Sequence, residues 1–397
     1  MIEKNIKDIN KDDIEYLIKN QIPESKTLEY KRSLPSNSNE DKKEFLADVI
    51  SFANADGGDL IYGIEEENGI PQKITGFENE IIDSEKLRLE SLIRDRIRPR
   101  IIPNIQIQPI KISDNNNVIL IRIPKSFTSP HTIGDKTLFY SRNSAGKYQM
   151  DVNELRNAFL FSENISEKIK NFRYKRISEI INEDTPIPLK SKDILVLHLI
   201  PIKAFSYNIF NIDLLKIYRQ SELCTPPLWG TGYSERFNLD GLLRYDNSYE
   251  PSYCQIYRNG IIESSVSNFL FKLGEKNCIP SITYEKEIIE KIKIYSDFLI
   301  KLEVLPPFVI FISMLGIKGS VMGVNSRERV IVDLKSFDKD NILLPDILIE
   351  SKEVLTDCQS IAKKIQPIFN IVWNAYGFPE SFNYDDQGNW IGGKFDI

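Results

Sequence analysis

Residues 24–66 limit what this chain can fold into more than any other stretch, because they read strand, helix, glycine turn, strand. Thr27-Leu-Glu-Tyr-Lys31 alternates, with Leu28 and Tyr30 on one side and Thr27, Glu29 and Lys31 on the other. A period of two predicts a half-buried strand. From Asp41 the period lengthens. Phe45, Leu46, Val49, Ile50, Phe52 and Ala53 recur at helical spacing and predict an amphipathic helix. Gly57-Gly58 predicts its end, because glycine accepts the positive φ that a helix C-terminus or tight turn needs. Leu60 to Ile64 is then a mostly apolar, central strand, with Glu65 and Glu66 just beyond it. In an open α/β sheet the carboxyl ends of strands are where ligands bind. Glu24 and Glu29 have opposite parity on one regular strand. They converge only if the chain bends between them, and Pro23 and Ser25 predict a loop there.

Carboxylate chemistry follows from this layout. Glu24, Glu29 and Glu66, from separate segments with Lys31 beside them, are candidate ligands for one or two hard cations, Mg²⁺ or Mn²⁺. Such ions are held by one or two carboxylates together with substrate phosphates. They activate water and neutralise charge on a transferring phosphoryl group. Lys31 is placed to contact the same phosphate. The competing reading is three solvated glutamates in a chain with 57 acidic residues.

The ordered pattern Glu24-Ser-x-x-Leu-Glu29-Tyr-Lys31, then Ser51-Phe-Ala-Asn54-x-x-Gly57-Gly58-x-Leu60-x-x-Gly63-Ile64-Glu65-Glu66, resembles the AlbA_2 domain of the Schlafen family over residues 12–163. The resemblance implies a metal-dependent endoribonuclease acting on structured RNA such as tRNA. Glu24 and Glu29 match the family's Glu-x4-Glu-aromatic-Lys element, and Glu66 matches its third acidic residue. That third position is typically Asp, so this chain departs there by one methylene. The resemblance equally admits a non-catalytic RNA- or DNA-binding or regulatory protein, a place in phage defence, and, because eukaryotic Schlafen cores carry two related lobes, a homodimer. Relatives are also labelled ATP-binding. Ser144-Ala-Gly-Lys147, however, lacks the upstream glycine and the Lys-Ser/Thr ending of a phosphate loop, so no ATP site is assigned.

Net charge is −6, so any nucleic-acid surface must be a local basic patch. Residues 86–100 supply one. Lys86, Arg88, Arg94, Arg96, Arg98 and Arg100 stand against Glu90 and Asp95 at the end of a helix predicted over 81–97, with Leu87, Leu89, Leu92, Ile93 and Ile97 as its apolar contacts and Pro99 and Pro103 as its stop. The patch reads either as cations favoured by the helix dipole or as phosphate contacts, with Arg94, Arg96, Arg98 and Arg100 the candidates. Tyr140 and Arg142, in a strand and turn before a closing helix at 151–161, read as a base-stacking ring and a phosphate contact, or as sheet core and an ion pair. The tyrosine, the arginine and the helix also match how AlbA_2 domains end.

At 397 residues two domains are expected. The fold class is α/β (α+β): an N-terminal sheet flanked by helices over 12–163, a helical linker over 164–190, and a mixed α+β domain over 191–397. In that second domain Asp193–Pro201, Phe308–Met314 and Arg327–Leu334 predict strands, Asn259-Gly260 predicts a hairpin turn, and helices are predicted over 284–302 and 357–376. Glu263, Arg258 and Arg244 read as polar residues near turns, His198 as core and His131 as a surface loop residue. No catalytic cluster is evident there, so sensing, partner binding or dimerisation is the default role. No apolar run is of membrane-spanning length, the N-terminus lacks a signal-peptide core, and four scattered cysteines form no metal or disulfide pattern. These features predict a cytoplasmic protein.

Overall fold

The computed structural model describes residues 1–397 except 3, 5, 102–104, 135–137, 206–210, 221, 231, 248, 325–334 and 396–397, and except the side chains of 161–163. The chain divides into two compact units, Met1–Asn164 and Ile165–Ile397.

The first unit contains, in order, α1 (Lys11–Lys19), β1 (Leu28–Lys31), α2 (Asn39–Asn54), β2 (Gly57–Tyr62), β3 (Ile64–Glu67), β4 (Ile70–Ile74), α3 (Asn79–Arg96), β5 (Ile97–Arg98), β6 (Gln106–Ser113), β7 (Asn116–Pro124), β8 (Thr132–Ile133), β9 (Tyr140–Asn143), β10 (Gly146–Gln149) and the start of α4 (Val152–Ile181). The central sheet runs β1-β2-β7-β6, with β1 parallel to β2 and the other pairs antiparallel. Alternation gives it two apolar faces. Leu28, Tyr30, Ile61, Val118 and Leu120 meet Ile14 and Leu17 of α1. Leu60, Tyr62, Ile119, Ile121 and Ile123 meet Phe45, Val49 and Phe52 of α2 and Leu89 of α3.

The helix over 39–54 starts where Ser38 caps Asp41 N through its hydroxyl and stops before the two glycines. Gly57 and Gly58 open β2 rather than closing a turn. Gly57 has φ +75°, and a Cβ there would lie 2.6 Å from Lys125 N. A Cβ on Gly58 would lie 2.5 Å from the Phe52 ring. Gly57 therefore lets β2 approach the backbone at the end of β7, and Gly58 leaves room for the Phe52 ring. Leu87 is 64% exposed and supplies no core contact, because it faces away from the sheet while Ile82 and Leu89 face it. α3 ends at Arg96, before Pro99, and Pro103 lies outside the described residues.

One unbroken helix, α4, stands where a closing helix and a separate linker helix were expected, and its residues from 165 onward belong to the second unit. That unit continues with β11 (Ile194–Pro201), α5 (Leu214–Arg219), β12 (Ser234–Phe237), β13 (Gly241–Asp246), β14 (Ser252–Tyr257), β15 (Ile262–Ser267), β16 (Phe271–Leu273), β17 (Lys276–Pro280), α6 (Ser281–Lys301), β18 (Phe308–Leu315), β19 (Val321–Gly323), β20 (Ile342–Leu343), β21 (Ile347–Ile349) and α7 (Cys358–Ala375). Its main sheet runs β12-β13-β14-β15-β11-β18-β20, with β21 also on β18. One face packs on α6 and α7 through Leu195, Leu197, Leu199, Ile288, Ile292 and Phe369. The other meets Ile177 and Ile180 of α4. The strand expected over Arg327–Leu334 lies outside the described residues.

Two polar residues expected at the surface of this unit are buried. Glu263 is fully buried and accepts from Arg176 Nε and Nη2 (both 2.9 Å), His198 Nε2 (2.8 Å) and Tyr253 Oη (2.8 Å). Arg244 is buried and donates to Leu223 O and Thr225 Oγ1. A sequence window around either residue shows only a charge near a turn; the partners that permit burial lie far along the chain.

Candidate functional site

Strand alternation places Glu29 and Lys31 together on the α2 side of β1. There, Glu29 is nearly buried, with Oε1 2.7 Å from Lys31 Nζ and Oε2 2.7 Å from Arg142 Nη1. Burial alone would raise its carboxyl, but the two cations outweigh that and hold it below the ordinary value. Lys31 Nζ also lies 3.9 Å from Oδ2 of Asp48, and Asp48 Oδ1 lies 2.8 Å from Lys147 Nζ. Lys147 pairs in turn with Glu44. The result is an alternating chain of charges, Glu44–Lys147–Asp48–Lys31–Glu29–Arg142, tying α2, β1, β9 and β10. Asp48 is 2% exposed, and burial together with Glu29 raises its carboxyl to about 6 despite the two lysines. Lys31 stays charged, because Asp48 and Glu29 more than offset its desolvation.

The bend required between Glu24 and Glu29 is present. Ser25 and Leu28 close a tight turn by reciprocal backbone bonds of 2.9 and 3.2 Å. Glu24 folds back along the outer edge of β1, where its Oε1 accepts from Tyr30 N at 2.9 Å. A strand edge left with a free N–H is thereby satisfied by a carboxylate. Glu24 N donates to Gly69 O at 2.7 Å, and Glu66 Oε2 accepts from Gly69 N at 2.6 Å. The β3–β4 turn thus brings Glu24 and Glu66 together. Burial raises the Glu24 carboxyl, and Glu29 and Glu66 add to the rise.

The three expected glutamates and Lys31 therefore share one neighbourhood, in which most of the carboxylate oxygens already have partners within the protein. Both oxygens of Glu29 are held by cations, and Glu24 and Glu66 each spend an oxygen on a backbone N–H. Among the described residues no group of three or more Asp, Glu, His or Cys side chains is arranged to hold a metal.

The arginines fall into two groups. Arg88 is used internally, bidentate to Glu85 and donating to Pro35 O. Arg94, Arg96, Arg98 and Arg100 are exposed. Arg98 Nη1 covers two carbonyls at the end of α3, Arg94 O (3.1 Å) and Ile97 O (2.9 Å). Arg94 lies 3.3 Å from Asp95 in a fully solvated pair. The guanidinium groups of Arg96 and Arg100 have no ion-pair partner among the described residues.

Of the two readings offered for Tyr140 and Arg142, the structure favours sheet core and an ion pair: Tyr140 is half-buried and Arg142 is buried. Tyr140 packs against the α2-side core. Arg142 is 3% exposed, lies over the Phe52 ring at 3.6 Å and is committed to Glu29. His131 is likewise buried, with Nδ1 2.9 Å from Pro99 O, and desolvation lowers its pKa to about 4. Sequence reasoning missed Asp48, Lys147 and the side-chain role of Asn54. Asp48 at a buried helical position between Glu44 and Phe52 was the one available signal.

Residues 24–151 match the Schlafen, AlbA_2 family model. No curated protein matches the chain. Among solved structures, the DIP2311 protein from Corynebacterium diphtheriae is similar at 18% identity over 35% of this chain and 26% of that one, with a TM-score of 0.24. This chain thus spans about a quarter of that protein's length. The N-terminal domain of an ATP-dependent DNA helicase RecG-related protein from Nitrosomonas europaea is similar at 21% identity over 36% of this chain and 87% of that one, with a TM-score of 0.25. The N-terminal unit of this chain carries a Schlafen AlbA_2 domain.

Proposed function

We propose that the N-terminal unit binds the backbone of a nucleic acid, RNA or DNA, through Arg94, Arg96, Arg98 and Arg100, in the cytoplasm. The observation that carries this reading is the exposure of four guanidinium groups within seven residues, two of them without an ion-pair partner among the described residues, in a chain of net charge −6. Backbone phosphate contacts position a protein without reading sequence. Each neutralised phosphate contributes about −0.7 to the log–log salt slope for a single strand and about −0.9 for a duplex. Fluorescence anisotropy with a labelled RNA hairpin and a DNA duplex tests the reading. Arg96→Ala/Arg100→Ala should weaken both and make the slope shallower by roughly 1.4–1.8. Salt-independent binding, or equal slopes for wild type and double variant, would refute it.

A second reading, a metal-dependent endoribonuclease acting on tRNA-like RNA, is favoured by one observation: Glu24 lies near enough to Glu29 and Glu66 to feel both charges, and it shares Gly69 with Glu66. It requires Glu29 to give up Lys31 in exchange for Mg²⁺ or Mn²⁺, since the carboxylate is otherwise fully engaged. Cleavage of total tRNA with either ion and then EDTA, by wild type and Glu29→Ala, is the test. Metal-dependent cleavage lost in the variant establishes it; salt-sensitive binding without cleavage leaves the binding module. A homodimer belongs to the same proposal and would show a mass near twice 45.9 kDa by light scattering; a monomer rejects it.

A further inference from the structure

Among the described residues the hairpin β9–β10 is a two-stranded sheet that pairs with no other strand, and Phe139 just before it makes a single bridge to Thr132. Its register against α2 is therefore set by side chains. It carries Arg142 and Lys147 directly opposite each other. Like charges so placed repel, and each is met by an acid from elsewhere, Glu29 and Asp48. Pairing of that kind works only when the hairpin sits at the right height on the helix.

Asn54, in the last turn of α2, reaches from the helix to this hairpin. Its side chain is spent on backbone far away in sequence. Oδ1 accepts from His131 N at 2.7 Å, and Nδ2 donates to His131 O at 3.1 Å and to Tyr140 O at 2.8 Å. Tyr140 begins β9, and Arg142 follows two residues later on the same face. The helix thus controls Arg142 twice: Phe52 is the floor beneath its guanidinium, and Asn54 anchors the strand that carries it.

We infer that Asn54 is a positioning residue that locks β9 to the end of α2, so that Arg142 reaches Glu29 and the carboxylate is held by two cations rather than one. The inference stands apart from nucleic-acid binding and needs no ligand to test. The full chain is prepared with ¹⁵N-arginine, and the protected guanidinium resonance of Arg142 is assigned by its loss in Arg142→Lys. Asn54→Ala should abolish that resonance while those of the buried Arg173 and the half-buried Arg176, in the other unit, stay in place. Asn54→Asp keeps an oxygen for His131 N–H, loses both donors, and should abolish it too; it carries the test if the alanine variant does not fold. Persistence of the Arg142 resonance at its native shift in either folded variant overturns the inference. So do additive melting losses for Asn54→Ala and Arg142→Lys, because two residues acting through one contact are non-additive.

Discussion

Glu263→Gln keeps the shape of a fully buried side chain and removes its charge. The carboxylate pairs with Arg176 through two 2.9 Å bonds and accepts from His198 and Tyr253. Burial pushes the Glu263 carboxyl upward, but His198 and Arg176 outweigh it and bring it down to about 2, from an ordinary value of 4.5. At roughly 1.4 kcal/mol per pKa unit, that difference is about 3 kcal/mol of stability. Removing one member of a buried ion pair costs about 3–5 kcal/mol. Arg176 keeps Glu179 as a second partner, which places the expected loss at the lower end, about 3 kcal/mol. For a unit of this size the midpoint should fall by roughly 6–12 °C. Trp229, Trp373 and Trp390 all lie in the second unit, so tryptophan fluorescence during urea or thermal unfolding reports that unit alone. The sign with pH is fixed. A depressed carboxyl contributes stability that is complete above about pH 4.5 and is lost as pH falls through about 2. The gap between wild type and variant should therefore be constant near neutrality and shrink in acid. A loss under about 1 kcal/mol, or a gap unchanged between pH 5 and pH 2, would refute the reasoning.

Three further perturbations separate the elements. His131 is buried as the neutral ring, with its pKa down near 4, so the stability it contributes is present above about 6.5 and lost as pH falls through 4; His131→Gln should flatten that loss in far-UV circular dichroism melts, and an unchanged acid profile would contradict it. Gly58→Ala places a methyl against the Phe52 ring and should cost about 1–3 kcal/mol, with the Arg142 guanidinium resonance broadened or shifted; a neutral substitution would mean that the ring moves freely. Glu285 is buried and accepts from Trp373 Nε1, Ser381 Oγ, Asn383 Nδ2 and Trp390 Nε1. Glu285→Leu strands these donors and should lower the urea midpoint of the second unit by more than Glu285→Gln, since a buried unsatisfied polar group costs about 1–3 kcal/mol; equal midpoints would argue against the cage.

Local pattern was enough to place β1, α2, β2, β11, the β14–β15 hairpin, α6, β18 and α7, because each depends on periodicity and turn chemistry within one window. The same information brought Glu24, Glu29 and Lys31 to one end of one sheet and required the bend that the Ser25–Leu28 turn supplies. What these carboxylates are bonded to was decided elsewhere. Arg142 lies 113 residues from Glu29, Lys147 lies 99 from Asp48, and Arg176 lies 87 from Glu263. No window spans such distances, and a charged residue looks alike in sequence whether solvated or buried. Leu87 and His131 show the same limit from the other side: one apolar residue is exposed and one polar residue is buried, each because of where its element faces. The sequence alone therefore determined the strongly periodic elements and the grouping of Glu24, Glu29 and Glu66 near Lys31. Tertiary structure decided which charges are neutralised, because desolvation and pairing depend on neighbours that only the folded chain brings within 3–4 Å.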